Sequence, residues 1–248
     1  MNVFIPKIEY TYTYERYISP RDHINFTANF AEAGNIASGI WALCGVKGTK
    51  KLLGTPFSQF IKVQGQVVWT RHFGQESALA TRVFLGAAHA YGNLDELPYR
   101  EQFYVGGSNS VRAFSVRTLG PGSYHHPNDS ARIPFYDQTG TFKFEANAEY
   151  RFPIVGYFKG AVFLDAGNIW LLKDDPNRPG GQLKMKNFFK DLALGTGIGL
   201  RFDMSMLVVR ADLGLAIHAP YDTGKRGYFN IPSFKKGYAF HLAIGYPC

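Results

Sequence analysis

No stretch of this sequence approaches the roughly 20 consecutive apolar residues that a membrane helix needs, so a bilayer would have to be crossed by strands. Cysteine is nearly missing. The 2 present, Cys44 in a loop and Cys248 at the last position, have no metal-ligand spacing and form no disulfide framework, and neither is assigned a role. The opening Met1-Asn2-Val3-Phe4-Ile5-Pro6 has neither the basic region nor the apolar core of a signal peptide. Catalytic signatures are absent too: no nucleophile elbow, zinc motif, phosphate loop or dinucleotide fingerprint occurs. Glu145 and Glu149 stand four apart on one strand face, about 13 Å at ~3.3 Å per residue. A glycosidase pair needs roughly 5–9.5 Å. His125-His126 falls in a loop and reads as solvated rather than as a metal site. No enzyme, cofactor or metal is expected.

Acidic residues are the scarcer sign, 19 against 27 Lys and Arg, for a net charge of +8. The basic clusters Lys47, Lys50, Lys51 and Lys235, Lys236 fall in expected loops, and no nucleic-acid-binding motif accompanies them. They read as solvated loops beside anionic lipid headgroups, with no nucleic-acid partner. Apolar residues are plentiful at 46%, with Phe 21 and Tyr 15, so the chain is not disordered. In a barrel such aromatics collect at the two membrane interfaces.

The segment Thr141-Phe142-Lys143-Phe144-Glu145-Ala146-Asn147-Ala148-Glu149-Tyr150-Arg151-Phe152 alternates polar and apolar residues without an error. Period-2 alternation is an extended strand with two chemically opposite faces. The polar face here is charged, which fits a wet barrel interior better than the outside of a soluble sandwich. Eight more segments read as strands, giving nine in all: about 3–15, 22–33, 58–72, 77–91, 140–153, 158–170, 191–203, 206–218 and 237–248. Ile8, Tyr10, Tyr12 and Tyr14 share a face of the first. Leu192, Leu194, Ile198, Leu200 and Phe202 share the outer face of the seventh. Arg210, Asp212 and His218 point inward from the eighth. In the last, Tyr238, Phe240, Leu242, Ile244 and Tyr246 share the outer face.

Connections alternate in length. Short ones fall at 16–21, 73–76, 154–157 and 204–205, long ones at 34–57, 92–139, 171–190 and 219–236. Short periplasmic turns and long external loops are the topology of a membrane barrel. The fold class expected is therefore all-β, an antiparallel transmembrane β-barrel. Nine strands cannot close a single-chain bacterial barrel, which takes an even number. Further strands are expected before Met1, with this chain as the C-terminal part of a longer protein.

Within the longest loop lies Phe103-Tyr104-Val105-Gly106-Gly107-Ser108-Asn109-Ser110-Val111-Arg112-Ala113-Phe114, a glycine turn followed by an arginine among apolar residues. Later comes Phe163-Leu164-Asp165-Ala166-Gly167-Asn168-Ile169-Trp170. Together these resemble the BamA/TamA superfamily of outer-membrane assembly and translocation barrels, whose hallmarks are a Val/Ile-Arg-Gly-Phe/Tyr loop tip and an aromatic-x-x-Asp-x-Gly strand. The wording Gln102-Phe103-Tyr104-Val105-Gly106-Gly107 and Gly227-Tyr228-Phe229-Asn230-Ile231-Pro232 looks most like the lipoprotein-type TamA relatives of Bacteroidetes.

The resemblance implies the last nine strands of a sixteen-stranded barrel, with POTRA repeats and seven strands lying outside this chain. It implies a loop folded into the lumen, with Arg112 of the tip Val111-Arg112-Ala113-Phe114 docked on Asp165. Glu149 and then Glu145 are the other lumen partners, and Gly106 and Gly107 form the loop turn. The last strand, with Gly245 and Pro247 beyond Ile244, would form a seam that opens to template client strands by edge pairing. Clients would be nascent outer-membrane or surface proteins, the surroundings outer-membrane lipid, and a further partner a TamB-like periplasm-spanning protein. A passive or two-partner secretion pore, or the membrane anchor of a patatin-like lipase, are the alternatives on this fold.

Two positions depart from the family pattern. Ala113 replaces the usual glycine and would be strained if its φ were positive. Cys248 replaces a terminal aromatic. Gly195, Gly197 and Gly199 all face the lumen, either to admit the loop or to ease curvature.

Overall fold

The computed structural model describes residues 3–45, 48–74, 76–125, 138–204 and 206–247. Lys47, His126 and Cys248 lie outside the described residues. Nine long strands form one antiparallel sheet in sequential order. They are β1 (Lys7–Ser19), β2 (Asp22–Ala33), β5 (Phe60–Phe73), β6 (Ser77–Ala90), β7 (Phe142–Val155), β8 (Phe158–Trp170), β9 (Ala193–Asp203), β10 (Val208–His218) and β11 (Tyr238–Ile244). A two-stranded hairpin, β3 (Lys51–Leu52) with β4 (Thr55–Pro56), and the helix α1 (Asn35–Leu43) lie between β2 and β5.

Neighbours in the sheet follow one another in the chain and run antiparallel, and the register of β6 on β7 is unbroken from Ala78↔Arg151 to Ala87↔Phe142. Alternation therefore carries one face of all nine strands to the same side. That side is charged and buried: Arg82, Glu145, Glu149, Asp165, Arg201, Arg210 and Asp212 all lie there out of solvent. The opposite side is apolar and exposed, with Tyr10, Val63, Leu85, Leu164, Ile198 and Leu242 at its surface. A protein in water has the reverse arrangement. The surroundings that fit this one are hydrocarbon outside and polar groups inside.

Turns at one end are short, such as Pro20-Arg21 and Gly156-Tyr157, and the four long connections share the other end. The expected strand bounds shift at several places. The first strand runs 7–19 rather than 3–15: Arg16 and Tyr17 still pair with Ile24 and His23, so the turn shrinks to two residues. The seventh begins at Ala193, and Leu192 is buried instead of facing outward. The last ends at Ile244 because Gly245 takes a positive φ of 82°, which ends extended pairing. The segment 34–57, read as plain loop, contains α1 and the β3–β4 hairpin, whose turn Leu53-Gly54 has positive φ at both residues, the type I′ geometry.

The loop between β6 and β7 folds inward. Leu97, Phe103, Val105, Val111, Ala113, Phe114 and Leu119 from it meet Ala33, Phe60, Ala88, Ile169, Ala193 and Ala219 in one buried apolar cluster. This cluster fills the loop-side end of the lumen.

Candidate functional site: a loop tip docked on the lumen wall

Gly106 and Gly107 start the tip, with φ of 93° and 89°, a conformation that a side chain disfavours. Gly107 N–H donates to the Phe114 carbonyl at 2.8 Å, closing the loop on itself. The Ser110 hydroxyl accepts from Gly106 N–H at 2.9 Å and meets the Glu145 carboxylate. These local bonds present Val111-Arg112 as a rigid projection towards the strands.

Arg112 has 0% of its surface exposed. Its Nε and Nη2 donate to the two carboxylate oxygens of Asp165 at 2.8 and 2.9 Å, and its backbone N–H adds a third bond to Asp165 at 3.0 Å. The planar guanidinium fork matches a carboxylate in this two-pronged way, where a lysine would not. Nη1 turns to Glu149, and the ring of Phe163 lies 3.6 Å below the guanidinium carbon. Every side of the cation is thereby occupied by an anion or an aromatic face.

The acids are shared further. Glu149 also accepts from Arg151 at 2.8 Å and Arg201 at 2.9 Å. Arg201 reaches Asp212 at 2.6 Å, which Arg210 reaches at 2.8 Å. Arg210 returns to the loop at the Ser108 carbonyl, 2.8 Å. Glu145 does not touch Arg112. It pairs with Arg82 at 3.0 Å and Lys143 at 3.1 Å.

Four residues at the site escaped the sequence reading. Asn147 bridges the Ser110 carbonyl and Asp165 at 2.9 and 2.8 Å. Arg82 holds the Asn109 carbonyl at 2.8 Å, and His241 meets the Arg112 carbonyl at 3.0 Å. Phe163 supplies the ring. All four sit on the lumen side of the alternation, which was the available signal. The signal that was lacking is which of many lumen residues the loop reaches.

Small residues on the strands make this approach possible. A Cβ on Gly86 would meet the ring of Phe103, one on Gly167 would crowd Val111, and one on Gly214 would strike the Arg112 carbonyl. The three lumen glycines of β9 divide: Gly195 faces Ala113 of the tip, whereas Gly197 makes room for Phe163 and Gly199 for Arg201 and Asp212. Ala113 is not among the described residues with positive φ, so its methyl group brings no backbone strain.

At the end of the sheet the expected placement of Tyr246 is overturned. Tyr238, Phe240, Leu242 and Ile244 are exposed on the outer face. The left-handed Gly245 then reverses the parity. Tyr246 turns inward, its hydroxyl donating to Asp203 at 2.8 Å and its ring lying 4.0 Å from the Arg151 guanidinium. Pro247 follows outside any strand.

Residues 27–246 match the Omp85 superfamily domain. The chain belongs to the Omp85 superfamily. It is 29% identical over 142 residues to the outer membrane protein assembly factor BamA of Neisseria meningitidis serogroup B, covering 54% of this chain and 17% of that protein. Among solved structures it is similar to BamA from Haemophilus ducreyi lacking POTRA domains 1-3, with TM-score 0.49 and 13% identity over 96% of this chain and 54% of that one. CdiB from Acinetobacter baumannii aligns with TM-score 0.40 and 13% identity over 96% and 41%. The chain thus spans at most about half the length of these relatives. As an Omp85 barrel it resides in the outer membrane. No described helix is long and apolar enough to cross a membrane, and the crossing is made by strands.

Proposed function

We propose that this Omp85 chain is the C-terminal, nine-strand part of a sixteen-stranded barrel that inserts or translocates client proteins at the outer membrane. The observation that carries the reading is the docked tip: Arg112, fully buried, held by both oxygens of Asp165 within a lumen of shared charges. Its role is to brace the lumen wall formed by β7–β10 while the sheet edge works. The edge strand β11 pairs with β10 over only seven residues, Val209↔Ile244 to Leu215↔Tyr238. Among the described residues no strand pairs with its outer ladder, and an unpaired ladder in hydrocarbon is severely unfavourable. A strand from the same protein fills it at rest, and a client strand replaces it in action. The residues of this seam are Tyr238, Phe240, Leu242, Ile244, Gly245, Tyr246 and Pro247.

Clients in this reading are nascent outer-membrane or surface proteins. POTRA repeats and seven further strands belong to the rest of the protein, and a TamB-like protein is its periplasmic partner. The Bacteroidetes lipoprotein-type TamA remains the subtype we favour, on the wording around Gly106-Gly107 and Gly227-Tyr228. A disulfide joining β11 to the strand across the seam tests the proposal in the full-length protein. Client insertion is expected to stop while single-channel conductance persists. Continued insertion by the locked protein would sink the insertase reading and leave a passive pore.

A further inference from the structure

Helix α1 has its amphipathic order inside out. A surface helix in water turns its apolar stripe to the core and its polar side outward. Here Ile36, Ile40 and Leu43, at helical spacings of four and three, are 62%, 53% and 91% exposed. Gly39 is exposed beside them. The polar groups instead face the protein. Asn35 donates to Glu32 at 2.8 Å and accepts from the Tyr91 hydroxyl at 2.7 Å. Ser38 is held through its hydroxyl and carbonyl by Lys50 Nζ at 2.6 and 3.1 Å. The Trp41 indole donates to the Lys51 carbonyl at 2.9 Å.

These contacts fix the orientation. Gly34 N–H is bonded to the Pro6 carbonyl at 3.0 Å. Lys50 exchanges bonds with Asn93, which also holds the Phe57 carbonyl at 2.7 Å. The helix is therefore clamped to the sheet end from both sides, and its apolar stripe is presented outward by the clamp rather than left out by chance.

The stripe also continues a surface already assigned to lipid. Ile8 pairs with Glu32, and both lie on the outer parity of β1 and β2, with Tyr10 and Phe30 next along their strands. A shallow groove of about 330 Å³ joins Ile8 and Glu32 to Ile36, Ala37 and Ile40. The helix thus sits at the loop-side rim of the outer, lipid-facing band. Its own loop, 34–57, has no acidic residue and carries the exposed Lys51 just beyond the helix, which complements the phosphates of an anionic headgroup layer.

We infer that α1 is an interfacial anchor, lying in the outer leaflet with Ile36, Ile40 and Leu43 immersed and the lysine-bearing flank against anionic headgroups. A helix of this kind binds in the plane of the interface through a buried apolar face and basic residues beside it. Trp41, part-buried with its N–H satisfied, is the aromatic type that such interfaces collect. The inference rests on the outer-membrane barrel and not on client insertion.

The test uses Cys44, the exposed thiol that follows the helix. In the full-length protein with Cys248→Ser, Cys44 carries an environment-sensitive dye, and the protein is reconstituted in vesicles containing phosphatidylglycerol. The dye is expected to emit to the blue, to be quenched by a spin label at headgroup depth, and to be shielded from iodide in water. In Ile36→Ser/Ile40→Ser/Leu43→Ser the emission moves to the red and iodide quenching rises several-fold. Heat-modifiable migration on a gel checks that this variant still forms its barrel. If the wild-type dye is open to iodide in vesicles, or the triple variant is shielded equally, the anchor is wrong, and a protein partner becomes the occupant of that face.

Discussion

Ala113 lies directly against Gly195, with no space between loop tip and strand β9 for even a methyl group on the glycine. The loop reaches Asp165 because this position and Gly214, like Gly86 and Gly167, are bare. Gly195→Val is therefore expected to expel the tip while leaving the strand formed, since valine suits an extended backbone. The expelled loop exposes Arg112, fully buried in the parent, to trypsin, and cleavage at that residue should appear within minutes where the parent resists. Ala113→Gly, by contrast, relieves no strain, loses one buried methyl contact and loosens the unfolded chain, so it should destabilise by about 0.5–1 kcal/mol. A large gain from that glycine would contradict the backbone conformation described for Ala113.

Charge exchange between Arg112 and Asp165 will fail to rescue. Removal of Arg112 leaves the buried Asp165 without a cation and should cost roughly 3–5 kcal/mol, whereas removal of Asp165 leaves Arg112 still paired with Glu149 and should cost less, both read as a lowered urea midpoint of heat-modifiable migration. In the exchanged pair an aspartate at 112 would face Glu149, which Arg112 now neutralises. The arginine placed at 165 would lose the backbone bond that Asp165 accepts from residue 112. The double variant should be no more stable than the worse single one. Recovery to near wild type would mean that Glu149 contributes little.

The end of the sheet depends on one backbone angle. Gly245→Ala forces a side chain into φ of 82° and should cost on the order of 1–3 kcal/mol locally, allowing the strand to extend and Tyr246 to turn outward. Tyr246→Phe removes only the bond to Asp203, about 1 kcal/mol, and keeps the ring on Arg151. Hydrogen exchange at the amides of 240–245 distinguishes them: the alanine variant should change protection across the segment, the phenylalanine variant slightly.

Asp191, in the connection between β8 and β9, is buried, and burial pushes its carboxyl above the usual carboxylate range. The Trp170 indole N–H, 3.3 Å away, and the charges of Lys190 and His218 offset this only in part. A raised folded-state value means that the protonated form fits the fold better. The resulting stability is complete below the ordinary aspartate value and is lost as pH rises through the raised one. Docking of residues 187–192 should thus tighten as pH falls through that raised value. Asp191→Asn should hold the tightened state on both sides of it, measured by exchange protection of the Asp191 amide. Equal protection of the parent at neutral and acid pH would exclude this account.

The sheet was legible from residue order because a strand's faces are decided locally. Once Lys143, Glu145, Asn147, Glu149 and Arg151 alternate with apolar residues, period 2 places them on one side, whatever lies far away. Long and short connections are also countable, so nine strands and their up-and-down order followed without coordinates. The bounds moved where local chemistry was equivocal. Arg16 and Tyr17 extend β1 because they find partners in β2.

Three features lay beyond alternation. Arg112 meets Asp165 across 53 positions of sequence, a pairing that the family resemblance implied and that period-2 order does not specify. Alternation lists the lumen acids, but distance in space selects Asp165 and Glu149 and leaves Glu145 to Arg82. Tyr246 kept the right parity on paper, yet a single left-handed glycine inverted it, because parity survives only while every residue is extended. The stripe of Ile36, Ile40 and Leu43 has helical spacing, but spacing cannot say which way a helix face points. That was decided by Lys50, Lys51 and Tyr91 holding the polar side inward. Periodicity is a property of neighbours in the chain; docking, parity breaks and orientation come from contacts that the chain must fold to make.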